Sequence, residues 1–194
     1  MPPHGPGTGP PQGPGGEDTA LGVRFRRALV ILAAAGLLFG AATARLFVWP
    51  ARGAPPRADA IVLFNGQGDR IDEAFALAYA HVAPNLLISR GSRDATNSCS
   101  PPIPGVAVTC FDPDPVTTQG EAEFAGRMAA THRWHSVVLV TSRPQDTRAR
   151  LRMGRCFNGR ISVATAPLPR REWPKAVAYE WGAMAKAIVI DRGC

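Results

Sequence analysis

Lysine is almost missing from this chain of 194 residues: it occurs only at Lys175 and Lys186, although Lys and Arg together number 22. The formal charge of +7 is therefore an arginine excess. Such an excess partly reflects coding composition and is poor ground for expecting nucleic acid. No basic run is interleaved with aromatic residues, so nucleic acid is not an expected partner; an anionic surface or ligand suits the charge better. The four cysteines form no Cys-x-x-Cys pair, which excludes the common zinc and dithiol spacings. The four histidines, His4, His81, His132 and His135, stand at no spacing that makes a metal set or a nucleophile-base pair. No Ser-His-Asp or Cys-His constellation can be assembled. No metal site is expected, and no cofactor can be assigned.

What is present comes in blocks. Glycine (20) and proline (19) cluster at the start, where residues 1–16 hold almost nothing to bury and read as a polyproline-like tail extending to residue 23. Arg24, Arg26 and Arg27 then precede a charge-free run from Ala28 to Ala44, and apolar residues resume after Arg45 up to Trp49. Residues 24–50 are expected to form one transmembrane anchor, with membrane contact from Ala28 to Trp49. A cleaved signal sequence is the rival, because Ala42-Thr43-Ala44 fits a small-x-small cleavage site. The arginines are nearly balanced across the span, so charge alone orients it weakly. Export signal and cysteines together favour a single-pass membrane protein with an extracytoplasmic domain. Residues 51–58 read as a linker and 59–194 as the folded domain.

Outside the cytosol, Cys99–Cys110 is expected to close a Pro-rich loop and Cys156–Cys194 to tie the tail to the body; in a reducing compartment all four would be thiols.

Within the domain, Ala60-Ile61-Val62-Leu63-Phe64 runs into Asn65-Gly66-Gln67-Gly68-Asp69-Arg70, the pattern of a buried strand, a tight turn and a helix start. Further strands are expected at Leu86–Ser89, Val106–Phe111, Ser136–Thr141 and Ile161–Ala164. Helices are expected after Asp69, from Thr118, after Ser142 and from Pro174. Strands alternating with helices give a parallel α/β sheet. The Gly-x-Gly is a poor dinucleotide fingerprint, since Ile71 replaces the third glycine and no acidic residue ends the second strand. Thr118 with Glu121, and Ser142 with Gln145, have capping-box spacing, which explains them without a ligand. Arg148 is different. An arginine in the first turn of a helix opposes the helix dipole and calls for an anion nearby, either a ligand or a carboxylate.

These segments together resemble the YdcF/SanA/ElyC-like family, domain-of-unknown-function family 218. The resemblance rests on Ala60–Arg70 with Glu73-Ala74, on Leu87-Ile88-Ser89-Arg90-Gly91, on Thr117-Thr118-Gln119-Gly120-Glu121-Ala122, and on Val138-Leu139-Val140-Thr141-Ser142 leading to Arg148-Ala149. It implies a three-layer Rossmann-like fold with a mostly parallel sheet behind one N-terminal transmembrane helix, and a role in cell-envelope biogenesis or integrity. It points to Asn65, Gly66, Gln67, Gly68, Arg70, Ser89, Arg90, Gly91, Thr117, Thr118, Thr141, Ser142 and Arg148 as ligand-binding, with Glu121 as the candidate acid or base. The family's histidine, three residues before the arginine of the last segment, is Gln145 here, and an amide does not titrate. The expected function is binding or processing of an anionic wall precursor. A non-catalytic envelope assembly factor is the alternative, as is an S-adenosylmethionine or nucleotide binder if the domain is cytosolic.

Overall fold

The unbroken apolar runs of the sequence lie at the centre of one parallel sheet. In the computed structural model, which describes residues 17–50, 57–66, 69–91, 99 and 102–194, β1 (Ala60–Leu63), β2 (Asn85–Ser89), β3 (Ala107–Phe111), β4 (Ser136–Ser142) and β5 (Arg160–Ala166) pair in the order β3-β2-β1-β4-β5. Every residue of β1 and β4 is buried, while the edge strands β3 and β5 carry partly exposed positions. A strand covered on both faces cannot alternate polar and apolar residues, which is why the central strands were the plainest in the sequence. The residues expected to form the tail (1–16) and most of the linker, as well as Gln67 and Gly68, lie outside the described residues.

Strand pleating divides the core into two layers. Ala60, Val62 and Phe64, with Val137 and Leu139, meet Ala122, Ala125 and Ala129 of α3 (Thr118–His132) and Ala149 and Met153 of α4 (Asp146–Cys156). Ile61, Leu63, Ile88, Val138 and Val140 face the other way, onto Ala74 and Ala78 of α2 (Arg70–Tyr79). The alanine stripe of α3 lets α4 come close. At Gly126 a Cβ would stand 2.6 Å from the Cys156 carbonyl oxygen, so only glycine fits there. Asp59 fastens the amino ends of the two central strands. Its carboxylate accepts from the backbone N–H of His135 (2.7 Å) and from both N–H and hydroxyl of Ser136 (2.9 Å each). Those donors, the His135 N–H foremost, hold its pKa below the ordinary value despite burial.

Both expected disulfides are formed, Cys99–Cys110 and Cys156–Cys194. The second spans 38 positions and joins the end of α4 to the C-terminus. Arginines do the rest of that fastening. Arg155 donates to the carbonyls of Ala187 (2.9 Å) and Asp191 (2.7 Å), and Arg152 also meets the Asp191 carbonyl. The arginine face of α4 thus serves the carbonyls at the end of α5 (Trp173–Val189), where positive charge suits the helix dipole.

The chain divides between Ala42 and Thr43. All of α1 (Glu17–Thr43) but its last residue lies on the N-terminal side, and the stretch Gly22–Val48, which runs across the division, is long and apolar enough to cross a membrane, with a mean hydropathy of 2.0. The C-terminal unit begins earlier than residue 59. It includes a π-helical turn, Ala44–Val48, whose Phe47 is fully buried with its ring edge-on to Trp181 of α5 at 5.2 Å. Trp181 Nε1 donates to Thr43 Oγ1 at 3.2 Å, and the Thr147 hydroxyl donates to the Leu46 carbonyl.

Candidate functional site

The sheet order places β1 between β2 and β4, so the helices after β1 and after β4 leave on opposite faces, opening a crevice at the carboxyl ends of these strands. A cleft of about 420 Å³ lies there. Its floor starts with the turn after β1. The Arg70 side chain folds back under that turn, where Nη1 donates to the carbonyls of Phe64 (3.0 Å) and Asn65 (2.8 Å) and Nη2 donates to Ser142 Oγ at the end of β4 (2.9 Å). Gly66 lies directly over the guanidinium, at φ +148°, and a Cβ there would be 2.6 Å from both Nη atoms. Arg70 therefore holds the floor of the cleft together, linking β1 to β4. Burial lowers its pKa to about 10, against the opposing pull of Glu121 and Glu180, and it remains charged at neutral pH.

The second wall is the first turn of α3. Thr117, not Thr118, is the N-cap, its hydroxyl accepting from the Gly120 N–H at 3.3 Å. The loop before it, with a cis peptide at Asp114-Pro115, packs so tightly on the helix that a Cβ at Gly120 would lie 2.1 Å from the Pro115 carbonyl oxygen. Gly120→Ala is expected to lower stability by about 3 kcal/mol, since neither backbone can yield without the other; urea unfolding of the variant beside wild type measures it.

This shift of the cap by one residue corrects the capping-box reading and releases two side chains. Thr118 Oγ1 accepts from Gln145 Nε2 (3.1 Å) and from Arg148 Nη1 (2.8 Å). Glu121 does not reach back to cap the helix: its Oε1 accepts the backbone N–H of Asn65 at 2.6 Å, across the cleft floor. The second capping box is absent as well. Ser142 makes no capping bond and instead receives Arg70, because β4 extends through Ser142 before a 3-10 turn at Arg143–Gln145.

Arg148 finds its anion inside the chain. Nε and Nη2 donate to Glu180 of α5 at 2.7 and 2.8 Å, a bidentate pair in which both partners are buried. Burial opposes the charge on Arg148, but Glu180 outweighs it and raises the pKa above its ordinary value. Arg90, at the end of β2, pairs with Asp112.

Glu121 is the electrostatic exception. It is only 3 % exposed, and among the described residues no guanidinium is hydrogen-bonded to it. Burial pushes its pKa up to about 7, against the Asn65 N–H, Ser89, Arg70 and Arg148, all of which favour the charged form. Ser89 Oγ stands near the carboxylate without a hydrogen bond of ordinary geometry. A carboxyl poised near neutrality can take a proton or give one up.

Of the residues expected from the sequence, Asn65, Gly66, Arg70, Gly91, Thr117, Thr118, Glu121, Ser142 and Arg148 line this one cleft. Ser89, Arg90 and Thr141 sit at or just beyond strand ends but do not line it. The helix expected from Pro174 is α5, but its part in the cleft was not foreseen: it supplies Lys175, Ala176, Tyr179 and Glu180, while Pro113, Val116 and Pro144 were also missed and Gln145, at the family histidine's position, joins the lining. Glu180 was foreshadowed only by the unexplained Arg148. Tyr179 and Lys175 had no signal beyond the rarity of both residue types. No family model, curated protein or solved structure matches this chain.

Proposed function

We propose that the protein is a membrane-anchored domain of the YdcF/SanA/ElyC type that binds and processes an anionic precursor of the cell envelope, with Glu121 as its acid–base residue. The observation that carries this reading is the buried Glu121 carboxyl, with a pKa of about 7, in a cleft at the topological switch point of a parallel sheet. Replacement of the family histidine by Gln145 leaves the cleft with a titrating group all the same. Two disulfides and an apolar N-terminal stretch support an extracytoplasmic domain and weigh against a cytosolic nucleotide binder. Glu121→Gln, made in the full chain, is expected to fail to restore growth under envelope stress in a strain lacking this protein, at wild-type protein levels.

A second reading, the non-catalytic assembly factor, is favoured by a different observation. Arg70, Arg90 and Arg148 all have partners within the chain, so the expected arginine clamp on a ligand is already occupied. Full restoration of growth by Glu121→Gln selects this second reading. Substituting Arg70 or Arg148 is a poorer test, because either change breaks packing that any function requires.

A further inference from the structure

With the arginines engaged, the recognition of an anion falls to other groups in the cleft. Lys175 lines it from the exposed first turn of α5 and has no hydrogen bond or ion pair among the described residues. Arg148 and Arg70, the other cations lining the cleft, make the bonds already given. Lys175 is therefore the cation with its full donor capacity still available.

Two uncharged donors complete the set. Thr118 Oγ1 accepts from Arg148 and from Gln145, which fills both acceptor positions of a hydroxyl. Its own proton must then point away from both donors, and no acceptor among the described residues takes it. Thr118 is nine-tenths buried and lines the cleft. Asn65 is fixed in orientation by its Oδ1, which accepts the Gly66 N–H at 2.7 Å. Its Nδ2 is thereby the end of the amide left over, and it rests against Gly91, another residue of the cleft lining, so closely that a Cβ there would lie 3.0 Å away. No acceptor among the described residues meets Nδ2 either. The glycine at 91 makes room for this amide.

Three residues with unspent donors thus line one cleft from three separate elements: the β1–α2 turn, the start of α3 and the start of α5. A planar carboxylate offers its lone pairs in one plane, whereas a tetrahedral oxyanion offers oxygens in three directions. We infer that the cleft selects a phosphate-type oxyanion held by Lys175 Nζ, Asn65 Nδ2 and Thr118 Oγ1, with Lys175 supplying the charge. The remaining lining of Pro113, Val116, Pro144, Ala176 and Tyr179 is suited to a less polar body attached to that group. This assignment rests on the proposed anionic ligand and names its chemical class.

The test is equilibrium binding of inorganic phosphate to the full chain in detergent micelles, followed by 31P line broadening, with acetate as the planar comparison. Wild type is expected to bind phosphate saturably and in preference to acetate. Lys175→Ala is expected to weaken binding about tenfold, and Lys175→Arg to retain most of it, the loss being that of one charge-assisted hydrogen bond. Lys175 is exposed, so its alanine variant is expected to unfold at the wild-type temperature. Equal phosphate affinity in wild type and Lys175→Ala overturns the role of Lys175, and acetate binding as tightly as phosphate overturns the oxyanion class. Either result leaves the acid–base role of Glu121 standing, because growth restoration tests that role separately. Absence of any phosphate binding by wild type overturns the assignment outright.

Discussion

Glu121→Gln is expected to stabilise the protein well above pH 7 and to leave it nearly unchanged near pH 4. The folded carboxyl has a pKa of about 7 against an ordinary value of 4.5, so between these values the folded state holds a proton that the unfolded chain releases. Stability therefore falls as pH rises through this window, and above it the full cost of a charged, buried carboxylate is present. At about 1.4 kcal/mol for each tenfold change in the proton equilibrium, that cost is about 3 kcal/mol. The amide keeps an oxygen for the Asn65 N–H, which Glu121 accepts at 2.6 Å, and it removes the charge. Thermal unfolding of both proteins across this pH range reads the difference directly. A variant that is more stable and yet inactive is the signature of a group retained for chemistry at the expense of the fold. A variant less stable at every pH would mean that the carboxylate is a structural partner of Arg70 and Arg148.

The second large effect concerns where the folded unit begins. Phe47 is 0 % exposed and packs on Trp181, so Phe47→Ala is expected to cost about 3–5 kcal/mol. The loss is local in its consequences. Trp181 follows Glu180 on α5, and Glu180 holds Arg148, which in turn donates to Thr118. Hydrogen exchange is expected to show α5 amides losing protection first, with β1 and β4 opening only at the global limit. A chain cut to start at Asp59 should behave like Phe47→Ala, whereas one starting at Thr43 should not. Equal stability of the two shortened chains would mean that residues 43–58 are no part of the folded unit.

The α/β architecture was legible because its signals are local. Buried parallel strands are continuous apolar runs, and helices that cover them repeat at helical spacing, as in β1, β4 and α3. The strand ends moved by a residue or two, since nothing in a sequence marks where pairing stops. The cysteine pairing was legible because the cysteines are few and a Pro-rich loop lies between the first two. The cap at α3 was misread for a physical reason: Thr117 and Thr118 are equally good caps in isolation, and the loop packed against Gly120 makes the choice. That one-residue shift turned Thr118 and Glu121 from capping residues into cleft residues. The arginines were over-read as ligand contacts because a sequence shows a charge without its partner. Glu180 lies 32 positions from Arg148, and the carbonyls that Arg70 holds belong to the backbone, which carries no sequence signal. Lys175 and Tyr179 were invisible for the same reason: only the return of α5 over the strand ends brings them to the cleft.

The acid–base role proposed for Glu121 requires a carboxyl that titrates near neutrality in the folded protein. Its most direct test is a carboxyl 13C NMR titration of the full chain in detergent micelles, with the Glu121 resonance assigned by its disappearance in Glu121→Gln. A midpoint near pH 7 is the expected result, matching the value set by burial. A midpoint near the ordinary 4.5 would rule that role out, because a carboxyl fully ionised at neutral pH has no proton to give.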